Sequence, residues 1–207
     1  IHPIAGGRSA VSQAALALAA TGSCYYASHV YNPLFYEGTK TYFFEVFLQM
    51  GLTMPELFFL PVGNGTLLLG AYWAFSQLQQ AGYIDHWPKV VMVQAEACSP
   101  LAQAFRAGQA VPTPVVTAAT VAEGIAITAP PRGAQILETL QIMGGETVTV
   151  NDEEILAARR ELALGGLYVE KTSAASFAAY LQLLRERPEL QESNVVLPLC
   201  GAGLKNE

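Results

Sequence analysis

The residues best placed to do chemistry are Gly63-Asn64-Gly65-Thr66-Leu67. A short apolar run, Leu57 to Val62, leads into them, and an apolar helical pattern starts at Leu67. A buried strand that turns directly into a helix leaves the first helical N–H groups without partners, at the positive end of the helix dipole. A phosphate satisfies those groups and gains from the dipole. Glycine permits close approach and positive φ, while Asn64 and Thr66 add side-chain donors. The glycines alone leave a second reading open: a plain strand-to-helix turn in which they only help the chain reverse. A nucleotide-binding loop requires Gly-Lys-Ser/Thr, and Gly65 is followed by Thr66 and Leu67, which excludes it. A dinucleotide fingerprint requires a third glycine earlier than Gly70, the next one present. Glu96, just after the following apolar run, stands where a ribose-binding acid is expected and keeps a dinucleotide site as a competitor.

A second glycine turn closes the chain in Leu199-Cys200-Gly201-Ala202-Gly203-Leu204-Lys205. It follows the apolar run Asn194 to Leu199, read as a buried strand, so Cys200 is expected at that strand's carboxyl end. In an open α/β sheet that edge is where ligands bind, and Gly63 is expected on the same edge. The competing reading makes Cys200 a buried, hydrophobe-like cysteine. Metal chemistry has no support. His2, His29 and His86 lack ligand spacing, and Cys24, Cys98 and Cys200 form no C-x-x-C pair. An odd number of widely spaced cysteines suits reduced thiols and a cytoplasmic protein.

The elements that must position these residues read as follows. Helical patterns cover Arg8 to Ala20, stopped by Gly22, then Glu37 to Gly51 and Leu67 to Ala81. Gly133 to Met143 and Ala174 to Arg187 are helical as well. Asn151 caps a further helix whose first turn carries Asp152, Glu153 and Glu154, matching its dipole. Strands are expected at Leu57 to Val62, Lys89 to Gln94, Glu146 to Val150 and Asn194 to Leu199, and the opening residues are strand-like. Val111 to Pro114 is a connection. Apolar strands alternating with helices predict a single α/β unit over residues 1–207, a mostly parallel sheet with helices on both faces. Tyr42, Phe43, Phe44 and Phe47 read as core or dimer contact. The Arg159/Arg160 and Arg185/Arg187 pairs read as solvated helix ends.

Composition narrows the partners. Of 207 residues, 52% are hydrophobic and 14% charged, enough apolar material for a substantial core. Eleven basic against 17 acidic side chains leave a net charge of −6 with no basic block. That argues against nucleic acid and anionic membranes, each of which needs clustered Lys and Arg. No apolar run is long enough to span a bilayer, and the start lacks a signal-peptide layout.

Five segments together carry a resemblance: ASHVYNPLFYEGTKT (27–41), LPVGNGTLLLG (60–70), VQAEACSPLAQAF (93–105), TVAEGIAI (120–127) and VVLPLCGAGLK (195–205). In order and spacing they are similar to successive blocks of the threonine-synthase family of fold type II pyridoxal-phosphate enzymes. The resemblance implies that Gly63, Asn64, Gly65, Thr66 and Leu67 bind the phosphate of pyridoxal 5'-phosphate. It implies that Cys200, where the family has Ser or Thr, faces the pyridine nitrogen, and that TVAEGIAI lies beside the ring. A neutral group there leaves the nitrogen unprotonated, which suits elimination and replacement chemistry.

The implied reaction takes O-phosphohomoserine and water to threonine and phosphate, a small phosphorylated amino-acid substrate, in a homodimer. Alternatives are a serine/threonine dehydratase or diaminopropionate ammonia-lyase, a dinucleotide-binding domain, or a catalytically inactive relative. The family's Schiff-base lysine belongs to a Ser-x-Lys-Asp block that does not occur in residues 1–207. That lysine is therefore expected upstream of Ile1, and Lys40, Lys89, Lys171 and Lys205 are not candidates for it. Taken alone, the chain is expected to be inactive.

Overall fold

A computed structural model describes residues 1–6, 8–116 and 119–205. The chain divides into two compact units, Ile1–Pro33 and Leu34–Glu207. The first holds helix α1, Arg8–Ala20, with the boundaries its Ala/Leu spacing predicts, followed by Gly22 at φ +72°. Tyr26 and Tyr31 pack ring against ring at 5.9 Å in the same unit. The strand-like opening residues carry no regular structure from Ile1 to Ile4.

The second unit runs α2 (Phe35–Thr39), α3 (Thr41–Gln49), β1 (Leu57–Pro61), α4 (Thr66–Gln80), β2 (Lys89–Ala95) and α5 (Pro100–Arg106). It continues with α6 (Gly133–Ile142), β3 (Glu146–Val150), α7 (Asp152–Leu164), α8 (Lys171–Glu186) and β4 (Val195–Val196). The four strands form one parallel sheet in the order β3-β2-β1-β4. Leu57 stands opposite Lys89 on one side and Val195 on the other.

The alternation of strand side chains explains why β1 and β2 are apolar over most of their length. Phe58, Leu60, Val90 and Met92 enter a core with Phe43 of α3, Phe75 of α4, Leu101 of α5 and Ile136 of α6. Leu57, Phe59, Val91 and Val93 enter the opposite core with Ile155 of α7 and Ala174, Ala175 and Ala178 of α8. Helices thus cover both faces, as the strand–helix alternation predicts. Small alanines bring α8 close to the sheet.

Several boundaries differ from the sequence reading for local reasons. The helix expected over Glu37 to Gly51 is broken at Lys40 into α2 and α3. Helix α5 has no clear sequence signature because seven residues offer too little periodicity, although Pro100 sits at its first turn, where its missing N–H costs nothing. Helix α8 begins at Lys171 rather than Ala174, because Thr172 and Ser173 are used as hydrogen-bond acceptors rather than as loop formers. The last strand is not a buried six-residue element. Only Val195 and Val196 pair, both half-buried, on an edge where Pro198 ends the possibility of further donation. Asn151 caps α7 as expected: its side chain accepts from Glu154 N at 2.9 Å, and Glu154 Oε2 accepts from Asn151 N at 2.9 Å.

Candidate functional site

The loop after β1 is built by close packing from three sides. Val62 and Gly63 are buried, and Gly65 adopts φ +74° immediately before α4. A Cβ on Gly65 would lie 2.4 Å from Cδ1 of Ile136, and one on Gly63 would lie 2.9 Å from Cγ1 of Ile127 and 3.1 Å from the Gly124 carbonyl oxygen. Both glycines are therefore demanded by the fold as well as by any ligand. Underneath, the fully buried Gln94 of β2 clamps the loop: its Nε2 donates to the Val62 carbonyl at 3.1 Å and its Oε1 accepts from Ala102 N at 2.9 Å.

Val62 N donates to the Val93 carbonyl at 2.9 Å. The first amide of α4 to find a carbonyl is Leu69, which donates to Gly65 at 2.9 Å. The N–H groups of Gly63 through Leu68 donate to no acceptor among the described residues. Asn64, Thr66 and Leu67 are half-buried, so the turn is reachable from solvent. Gly70, the late glycine of the dinucleotide comparison, has a packing role instead. A Cβ there would fall 2.5 Å from Thr39 Oγ1, which donates to the Thr66 carbonyl at 3.0 Å.

From this loop a line of contacts leads to Cys200. Gly63 touches the 3-10 turn Glu123–Ile125, whose Gly124 N–H donates to Thr172 Oγ1 at 3.2 Å. The next residue, Ser173, accepts from Gly201 N at 3.2 Å. The TVAEGIAI segment is held to α7 by Asp152, which accepts from Thr120 Oγ1 at 2.6 Å and from Val121 N at 3.1 Å. Since β1 and β4 are parallel, the Gly63 loop and the Cys200 turn leave the same carboxyl edge, as the sequence implies. Cys200 lies past the paired residues of the edge strand, and it is exposed, which corrects the buried-cysteine reading.

The Cys200 turn is stitched down by contacts with no local sequence signal. Glu170 N donates to the Gly201 carbonyl at 2.8 Å and Gly203 N to the Tyr168 carbonyl at 2.9 Å. Arg159 is not a solvated helix end: it donates to the carbonyls of Val169 and Gly203 and to the Tyr168 hydroxyl, with its guanidinium 4.7 Å from that ring's centre. Arg187 likewise pairs with both carboxylate oxygens of Glu146. The Cys200 thiol is held above its ordinary value, first by the protein packed around it and then by the Glu170 carboxylate. Tyr42, at the start of α3, is pushed up to about 12 by burial and then by Cys200.

Lys89, Lys40 and Lys171 occupy three separate places. Lys89 opens β2, at the sheet edge away from the loop. Lys40 pairs with Glu37 and lies 5.9 Å from the centre of the Phe44 ring. Lys171 begins α8.

An open parallel sheet that gathers a glycine loop of unpaired amides and a second glycine turn at one carboxyl edge belongs to the α/β proteins that take ligands at that edge. Within that class the chain belongs to the pyridoxal-phosphate dependent enzyme family, whose pattern matches residues 1–201. It is 37% identical over 176 residues to the threonine synthase of Methanosarcina acetivorans, covering 84% of this chain and 44% of that protein. It is 33% identical over 176 residues to the threonine synthase of Methanocaldococcus jannaschii, with the same coverage of each. Among solved structures it superposes on a pyridoxal 5'-phosphate-dependent aspartate racemase with a TM-score of 0.76 at 20% identity, covering 97% of this chain and 59% of that one. The serine racemase of maize matches with a TM-score of 0.75 at 15% identity, covering 99% and 58%. At such identities these superpositions speak to the fold, which is fold type II. Pyridoxal phosphate is the family's cofactor. The chain spans about half the length of the curated relatives it matches.

Proposed function

We propose that the protein to which these residues belong converts O-phosphohomoserine and water to threonine and phosphate, and that this chain holds the phosphate end of the cofactor. The observation that carries the cofactor assignment is the run of N–H groups from Gly63 to Leu68 without acceptors among the described residues, at the start of a 15-residue helix. Such a turn fits a dianionic phosphate without any lysine or arginine. The threonine-synthase relatives support the substrate.

In this reading the amides of Gly63, Asn64, Gly65, Thr66 and Leu67 bind and orient the phosphate. Gln94 keeps the loop rigid by tying Val62 to Ala102. Cys200 meets the pyridine nitrogen as a neutral thiol and leaves the nitrogen unprotonated. The 3-10 turn Glu123–Ile125 walls one side of the loop. When bound, the cofactor supplies an electron sink for removal of the substrate's α-proton and loss of its γ-phosphate. The Schiff-base lysine is supplied from outside residues 1–207, in a cytoplasmic homodimer. Among the described residues no helix is long and apolar enough to cross a membrane.

One residue favours a second reading. A thiol rather than a hydroxyl at Cys200 also suits a serine/threonine dehydratase. Assay of the whole protein separates the two. Phosphate release from O-phosphohomoserine, without ammonia release from serine or threonine, is the expected result; the reverse pattern sinks the threonine-synthase assignment. Gly65→Asp, which places a carboxylate among the amides, should abolish the cofactor's near-visible absorbance band. Retention of the band would refute the phosphate cradle.

A further inference from the structure

Glu170 stands beside Cys200 and has no part in the phosphate cradle. It precedes α8, and its backbone is fixed to Gly201 by the 2.8 Å bond from its N–H. Its side chain turns the same way. A Cβ built on Gly201 would fall 2.1 Å from the Glu170 carboxyl carbon and 2.3 Å from its Oε1, so the carboxylate lies directly against the Gly201 Cα. The Gly201 N–H is already given to Ser173. No hydrogen bond or ion pair takes either Glu170 oxygen among the described residues, and the residue is half-buried. A carboxylate without a hydrogen-bond partner among the described residues thus lies against the residue that follows Cys200.

We propose that Glu170 is a positioning residue for Cys200, its carboxylate keeping the thiol in the proton-bearing form so that a neutral S–H, not a thiolate, meets the cofactor ring. This rests on the reading that Cys200 faces the pyridine nitrogen, and deepens it. A negative charge disfavours a second one beside it. A thiolate at this position would draw a proton onto the pyridine nitrogen, whereas the neutral thiol does not.

The other groups around the thiol do not counter this charge. Tyr42, from α3, stays neutral up to about 12. Arg159, from α7, is committed to Val169, Tyr168 and Gly203. The upward push on the thiol, from its packing first and Glu170 second, agrees with the geometry.

The test is the pH dependence of Cys200 alkylation by iodoacetamide, followed by peptide mass spectrometry in a Cys24→Ser background, Cys98 being buried. In Glu170→Gln the midpoint should move to lower pH, and the rate near pH 8 should rise about threefold, since the thiolate is the reactive form. Ser173→Ala loosens the same turn without changing its charge and should leave the midpoint in place. An unmoved midpoint in Glu170→Gln, or an equal shift in Ser173→Ala, overturns the inference. Saturating pyridoxal phosphate should slow Cys200 alkylation in the whole protein, which carries the Schiff-base lysine. Absence of protection overturns the placement of Cys200 at the ring, and Glu170's role toward the ring with it, whatever the midpoint does.

Discussion

A methyl group on Gly65 would sit 2.4 Å from Cδ1 and 2.5 Å from Cγ1 of Ile136, the fully buried isoleucine of α6. The φ of +74° at Gly65 adds a second objection to any side chain there. Left-handed backbone costs a non-glycine residue about 1–2 kcal/mol, and overpacking adds about 1–3 kcal/mol. Gly65→Ala should therefore lower unfolding stability by about 2–5 kcal/mol in urea titrations. Adding Ile136→Val removes Cδ1 but not Cγ1, so the double variant should lose less than the sum of the singles. Strict additivity would mean that the clash is relieved by movement elsewhere.

Gln94 is the residue that joins the loop after β1 to the start of α5 through its side chain. Gln94→Leu keeps the volume but leaves the Val62 carbonyl and the Ala102 N–H unpaired in the interior. Each such group costs about 1–3 kcal/mol, so a loss of about 3 kcal/mol is expected. The Ala102 amide should exchange its hydrogen faster in the variant. A change below about 1 kcal/mol, with unchanged exchange, would mean that water replaces the glutamine.

What is legible in the chain follows from how far apart the interacting residues lie along it. The loop Gly63 to Leu67 and the Asn151 cap are local: strand, turn, helix start and capping partner fall within a few residues. The apolar strands announce a sheet covered on both faces, and β1 and β2 pair over the whole length of β1. Gln94, Glu170 and Arg187 give no such signal. Their partners Val62, Gly201 and Glu146 become neighbours only when the parallel sheet is assembled. The last strand is shorter than its sequence suggests because NVVLPL has the composition of a buried strand but lies at an edge with one neighbour. In the aromatic run 42–47 the core reading holds for Phe43, which meets Phe58 at 5.1 Å and Phe75 at 5.4 Å between ring centres.

Arg187 and Glu146 make two parallel hydrogen bonds, 2.9 and 2.6 Å long, joining the end of α8 to the start of β3. The geometry is favourable, yet the two side chains keep 38% and 40% of their surface exposed. Solvent screening then governs the outcome. A double-mutant cycle on Arg187→Ala and Glu146→Ala should give a coupling of about 0.5–1 kcal/mol, falling as salt is raised. A coupling above about 2 kcal/mol, insensitive to salt, would contradict this.

Tyr42 links the site to alkaline behaviour. Its hydroxyl is pushed from 10.0 to about 12, by burial first and the neighbouring Cys200 second. Folding therefore favours the protonated phenol. Below about pH 10 the folded and unfolded chains carry that proton equally, and the stabilisation is fully present. Between about 10 and 12 the unfolded chain releases it while the folded chain does not, so stability falls as the pH rises through that window. Tyr36 is also raised, by burial, with the Arg132 guanidinium pulling the other way. Tyr42→Phe should consequently remove part of the alkaline loss and leave the part due to Tyr36. Unfolding midpoints across this pH range, together with the phenolate absorbance of the folded protein, measure both contributions. An identical alkaline fall in Tyr42→Phe would show that the Tyr42 hydroxyl titrates alike in the folded and unfolded chains, and would place it in water rather than against the Cys200 turn.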